Sequence, residues 1–72
     1  MMEFTLQPED NARLANLCGA LDENIKQIET ALEVNINRRG GTFNIGGKLD
    51  NTRLAAQLIE NFYIRAKKPI EL

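Results

Sequence analysis

A chain of 72 residues, 43% hydrophobic and 26% charged, describes one small globular domain. Its single cysteine and lack of histidine exclude a disulfide framework and a Cys/His zinc site. A net charge of -1 gives no bulk electrostatic sign of a nucleic-acid partner, and no signal peptide or long apolar run is visible, so a soluble, cytoplasmic chain with no membrane partner is expected.

Glu3-Phe4-Thr5-Leu6-Gln7 alternates polar and apolar residues and predicts a strand with one buried face, ended by Pro8. Glu9-Asp10-Asn11 supplies an N-cap and acidic residues for a first helix. Ala12, Leu14, Ala15, Leu17 and Cys18 form the apolar side of that helix up to Gly19. Glycine tolerates positive φ, so Gly19 ends this helix and turns the chain. Asp22 is placed to cap the next helix.

Leu21, Ile25, Ile28 and Leu32 recur at helical spacing and predict a second, amphipathic helix ending near Leu32 or Glu33. Val34-Asn35-Ile36-Asn37-Arg38 then switches to period two, with Val34 and Ile36 inward. Arg39-Gly40-Gly41 signals a hairpin, and Thr42-Phe43-Asn44-Ile45 resumes the alternation with Phe43 and Ile45 inward. Gly46-Gly47 breaks this strand, and Asp50 or Asn51 is the expected cap of a last helix. Leu54, Ala55, Leu58, Ile59, Phe62 and Tyr63 are its expected core stripe, and Lys67-Lys68-Pro69 its stop. The order strand, helix, helix, strand, strand, helix predicts a two-layer α+β domain, with a three-stranded antiparallel sheet covered on one face by three helices.

Charge is unevenly spread. The first half carries Glu3, Glu9, Asp10, Asp22, Glu23, Glu29 and Glu33 against Arg13 and Lys26, whereas Arg38, Arg39, Lys48 and Arg53 outweigh Asp50 further on. The basic end lies in turns.

The element order is that of a type I KH domain. Leu17-Cys18-Gly19-Ala20-Leu21-Asp22-Glu23-Asn24-Ile25-Lys26-Gln27-Ile28-Glu29, followed by Val34-Asn35-Ile36 and Phe43-Asn44-Ile45-Gly46-Gly47, resembles the KH run in which a Gly-x-x-Gly loop precedes an Ile-x-x-Ile helix. Such domains clamp about four nucleotides of single strand through that loop. In this chain Asp22 stands at the second loop glycine, where its carboxylate repels a phosphate.

A more specific resemblance runs through Leu6 to Pro8, Asp10-Asn11-Ala12-Arg13-Leu14-Ala15-Asn16-Leu17-Cys18-Gly19, Asp22 to Glu29 and Ile36-Asn37-Arg38-Arg39. These runs look like the N-terminal domain of PhoH-like ATPases, the phosphate-starvation-inducible family. The resemblance implies a KH-like domain over 1–66 and a linker over 67–72 toward an ATPase domain that these residues do not contain. It implies ATP and Mg as ligands of the parent protein, with no cofactor, metal site or catalytic residue in the 72 residues. The implied partners are single-stranded RNA and the parent ATPase domain. Candidate RNA contacts are Gly19, for close backbone approach, with Arg13, Lys26, Arg38, Arg39, Gly40 and Gly41 bordering the groove. The alternative is a protein-interaction or oligomerisation module that docks on the ATPase domain, a second copy or another RNA-processing factor.

The remaining motifs have plain readings. Gly46-Gly47-Lys48 fails as a phosphate loop, because Thr42 occupies the first glycine position and Leu49 follows the lysine. Cys18 has no histidine base and reads as a core thiol. Phe62 and Tyr63 fall in the core stripe of their helix.

Overall fold

The structure, a computed structural model, describes residues 1–70. It contains β1 (Met2–Thr5), α1 (Asn11–Cys18), α2 (Glu23–Leu32), β2 (Asn35–Arg39), β3 (Thr42–Gly46) and α3 (Leu49–Arg65), with a tight turn at Ala20–Asp22 between α1 and α2. The fold is the expected α+β arrangement. β3 is the central strand, antiparallel to both β1 and β2, in the order β1-β3-β2.

The local starts and stops follow from residue type. The Asp10 carboxylate accepts from the Arg13 amide at 3.0 Å and caps α1. Gly19 ends α1 at φ 77, and its N–H donates to the Ala15 carbonyl. Glu33 adopts a left-handed φ of 54 and closes α2 where the period-two pattern begins. Gly40 takes φ 59 in the two-residue hairpin, where Arg39 pairs with Thr42.

One face of the sheet packs on the helices. Phe43 and Ile45 of β3 are buried with Ile36 of β2, Leu17 and Cys18 of α1, Ile25 and Ile28 of α2, and Ala55, Ile59 and Tyr63 of α3. Burying each large aliphatic side chain of this set contributes about 1.5–3 kcal/mol, so the cluster holds the two layers together. Phe4 stacks on Phe43 with ring centroids 5.5 Å apart. The other sheet face is open and polar, carrying Glu3, Thr5, Asn35, Asn37, Arg39, Thr42 and Asn44.

Ala12 and Ala15, expected on the apolar side of α1, are exposed, and further details differ from the sequence-based expectations. Leu21, expected in the α2 stripe, is 90% exposed, because it lies in the turn before the helix starts. Asp22 takes a left-handed φ of 56 and makes no side-chain cap, its carboxylate being engaged elsewhere. The N-cap of α3 is Lys48, so Asp50 already lies in the first turn. The buried line of α3 runs through Thr52, Ala55, Ala56, Ile59, Tyr63 and Ala66, which rotates Leu54 out to the surface and leaves Leu58 and Phe62 half-buried.

Beyond α3 the chain folds back over α1. The Ile70 N–H donates to the Asn16 carbonyl at 2.9 Å, and the Ile70 carbonyl accepts from Asn24 Nδ2 at 2.7 Å. Within the expected linker at 67–72, Ile70 thus contacts Asn16 and Asn24 while Lys67, Lys68 and Pro69 are exposed, and the last two residues lie outside the described ones.

Candidate nucleic-acid interface

The turn after α1 and the hairpin tip sit side by side, joined by one ion pair. Strand alternation directs Arg38 and Ile36 to the helix side of β2, and the helix layer there ends in the Ala20–Asp22 turn. The Arg38 guanidinium meets the Asp22 carboxylate as a fork: Nε donates to Oδ2 at 3.0 Å and Nη2 to Oδ1 at 2.7 Å. Its remaining amino group, Nη1, donates to the Gly40 carbonyl at 2.9 Å. One side chain thus ties the interhelical turn to the hairpin. The hydrogen bonds to Asp22 raise the Arg38 guanidinium above its ordinary pKa.

The same alternation separates the two arginines. Arg39 lies on the open face of the sheet, across from Thr42 and Thr5, where a shallow depression is lined by Glu3, Asn37, Arg38, Arg39, Thr42 and Asn44. Thr5 and Thr42 share a hydroxyl hydrogen bond at 3.0 Å there. The Arg38 and Arg39 side chains thus leave β2 on opposite faces, although both residues border this depression.

The other candidates divide similarly. Gly19 borders the turn, at φ 77 and ψ 179, with Glu23 and Asn24 packed closely against its Cα. Gly40 bonds Arg38, and the Gly41 carbonyl accepts from the Leu6 amide at 2.9 Å, which anchors the hairpin to the end of β1. Lys26 is exposed on α2, one helical turn beyond Asp22, beside Gln27 and Thr30. Arg13 lies elsewhere: its guanidinium sits over the Tyr63 ring, 5.6 Å from the centroid, at the α1–α3 contact. The structure brings together Gly19, Asp22, Arg38 and Gly40, and leaves Arg13 outside this cluster.

Beneath the ion pair lies Cys18, 1% exposed. Burial pushes its thiol up to about 11; Arg38 opposes that shift and Asp22 adds to it. A thiol held protonated in this way is a poor nucleophile. Among the described residues, no group of three or more His, Cys, Asp or Glu is placed to hold a metal ion, and no helix is long and apolar enough to cross a membrane.

Two residues that the sequence reading passed over shape the site. Asn24 is only 3% exposed, and its Nδ2 donates both to the Leu17 carbonyl at 3.0 Å and to the Ile70 carbonyl. It braces the turn from below. The signal was present in the sequence, because Asn24 lies one helical turn before Ile28 and beside Ile25, on the apolar side of α2. Glu29 Oε2 accepts from the Ile36 amide at 2.7 Å, so a helix carboxylate covers an outward-facing N–H of the edge strand β2. No sequence spacing marks that contact, which depends on how α2 lies along β2.

No protein-family model matches the chain, and no solved structure matches it.

Proposed function

We propose that the chain is a KH-like accessory domain of a PhoH-like ATPase, and that it holds single-stranded RNA for the parent enzyme at the cleft between the Gly19–Asp22 turn and the Arg38–Gly41 hairpin. One observation carries this reading: the interhelical turn and the basic hairpin are neighbours, with Arg38 spanning them. Glycine at position 19 keeps the backbone open to close approach, Arg38 and Lys26 supply cations for phosphates, and Gly40 and Gly41 keep the rim low. Chemistry is assigned to the parent ATPase, with its own ATP and Mg, and this domain contributes binding.

The test is an NMR titration of the isotope-labelled chain with a short single-stranded oligoribonucleotide at low and moderate salt. Amide shifts confined to Gly19–Lys26 and Arg38–Gly41, weakening as salt rises, are expected. Shifts absent from both segments would remove the RNA reading.

A second reading has its own support in Leu21. Leu21 is 90% exposed on the turn between two helices and holds a φ of 52, which is uncommon for a residue other than glycine. It fits a contact with protein, either the parent ATPase domain or another RNA-processing factor. Sedimentation of the chain alone and mixed with the ATPase region separates the readings. Co-sedimentation that Leu21→Ser abolishes, with RNA titrations silent, would favour docking.

A further inference from the structure

We infer that Asp22 is an internal stand-in for a phosphate, holding the Arg38 fork closed until a phosphodiester displaces it. The inference rests on the RNA reading above and specifies how the site is gated. Arginine offers parallel N–H donors whose spacing suits a carboxylate and a phosphate alike. In this chain both donors of that edge, Nε and Nη2, are already filled by Asp22, at 3.0 and 2.7 Å. The third position is turned back to the Gly40 carbonyl, so the guanidinium is held in place between the turn and the hairpin.

Two features mark the carboxylate as displaceable. The pair is open to solvent, with 23% of the Arg38 side chain and 39% of the Asp22 side chain accessible, so an entering anion has a path to it. Asp22 also makes no cap on α2, and its left-handed backbone bears no stabilising side-chain bond except this one. Losing Arg38 therefore costs Asp22 a partner but leaves no buried orphan, since water reaches it. The occupied fork lowers apparent affinity by the fraction of time it is closed. For a partly exposed pair of this kind the closed state is favoured only several-fold, which makes the fork a weak gate instead of a lock.

The experiment compares the unaltered chain with Asp22→Asn, an isostere that keeps the left-handed backbone readily. Each is titrated with a short single-stranded oligoribonucleotide and, separately, with inorganic phosphate, following the Arg38 Nε–H resonance and the affinity. For the oligonucleotide, Asp22→Asn is expected to bind roughly two- to fivefold more tightly, from release of the pair. Its salt dependence should steepen by up to about 0.7 in log–log slope, the increment for neutralising one more phosphate on a single strand. In the unaltered chain the Arg38 Nε–H should move on RNA addition, which needs no folded variant. The double variant Asp22→Asn/Arg38→Gln should lose the tighter binding.

The outcomes separate the two claims. RNA binding that Asp22→Asn does not change, with Arg38 Nε–H unmoved, overturns the gate and leaves the RNA reading standing. Inorganic phosphate moving Arg38 as strongly as the oligonucleotide supports the gate but assigns it to a small anion, against the RNA reading. No binding of either probe by either protein overturns both.

Discussion

Gly19 offers the sharpest stability test, because two independent costs coincide there. At φ 77 and ψ 179 its backbone occupies a region that is essentially closed to residues with a Cβ, at a cost of about 1–3 kcal/mol. A methyl group built on its Cα would also stand 3.0 Å from Glu23 Cγ and 3.2 Å from Asn24 Nδ2. Glu23 is exposed and can move aside, but Asn24 is held by the Leu17 and Ile70 carbonyls and cannot shift without lengthening one of those bonds. Weakening one adds about 0.5–1.5 kcal/mol.

Gly19→Ala should therefore lose about 2–4 kcal/mol, much of the few kcal/mol expected for so small a core. The melting temperature should fall by roughly 10–25 °C at this chain length. Urea unfolding followed by far-UV circular dichroism measures it, with Gly46→Ala as the internal control. Gly46 has ordinary φ and nothing within 4 Å of a Cβ, so that change should be neutral or slightly stabilising. If Gly19→Ala and Gly46→Ala unfold at the same urea concentration, the account of the turn is wrong.

Tyr63→Phe removes the hydroxyl that donates to the Pro8 carbonyl while keeping the buried ring; a loss of about 1 kcal/mol in urea unfolding is expected. The Cys18 thiol gives a pH dependence. Its folded pKa, about 11, lies above the ordinary value of 9.0, so the unfolded chain ionises first and stability is fully present below pH 9 and lost as pH rises toward 11. The drop between those limits is on the order of 2–3 kcal/mol, and Cys18→Ala, less stable at neutral pH, should show a flatter slope across the same range. Glu29→Ala uncovers the Ile36 amide on the edge of β2, and light scattering should report greater self-association than for Glu29→Gln, which keeps an acceptor there.

Several residues were readable as local chemistry. Asp10 caps α1, Gly19 ends it, Gly40 turns the hairpin, and the alternation of Val34 to Ile45 places Ile36, Phe43 and Ile45 in the core, because each of these depends on the few residues around it. Asp22 shows where that kind of reading stops. As a residue before a helix it should cap, yet an arginine 16 positions later offers a better partner, and the carboxylate turns to it. Leu54 and Leu58 show the same limit on α3, where an apolar face broader than the sheet can cover leaves open which part is buried.

Period, turn chemistry and caps were sufficient to determine the element order and the two-layer class, since they act over distances of one helical turn or one strand pair. The placement of β3 between β1 and β2 and the fork between Arg38 and Asp22 belong to the tertiary structure alone. Pairing partners separated by a whole helical excursion are selected by packing of the entire core, and a charged side chain settles with the ion that this packing brings within reach.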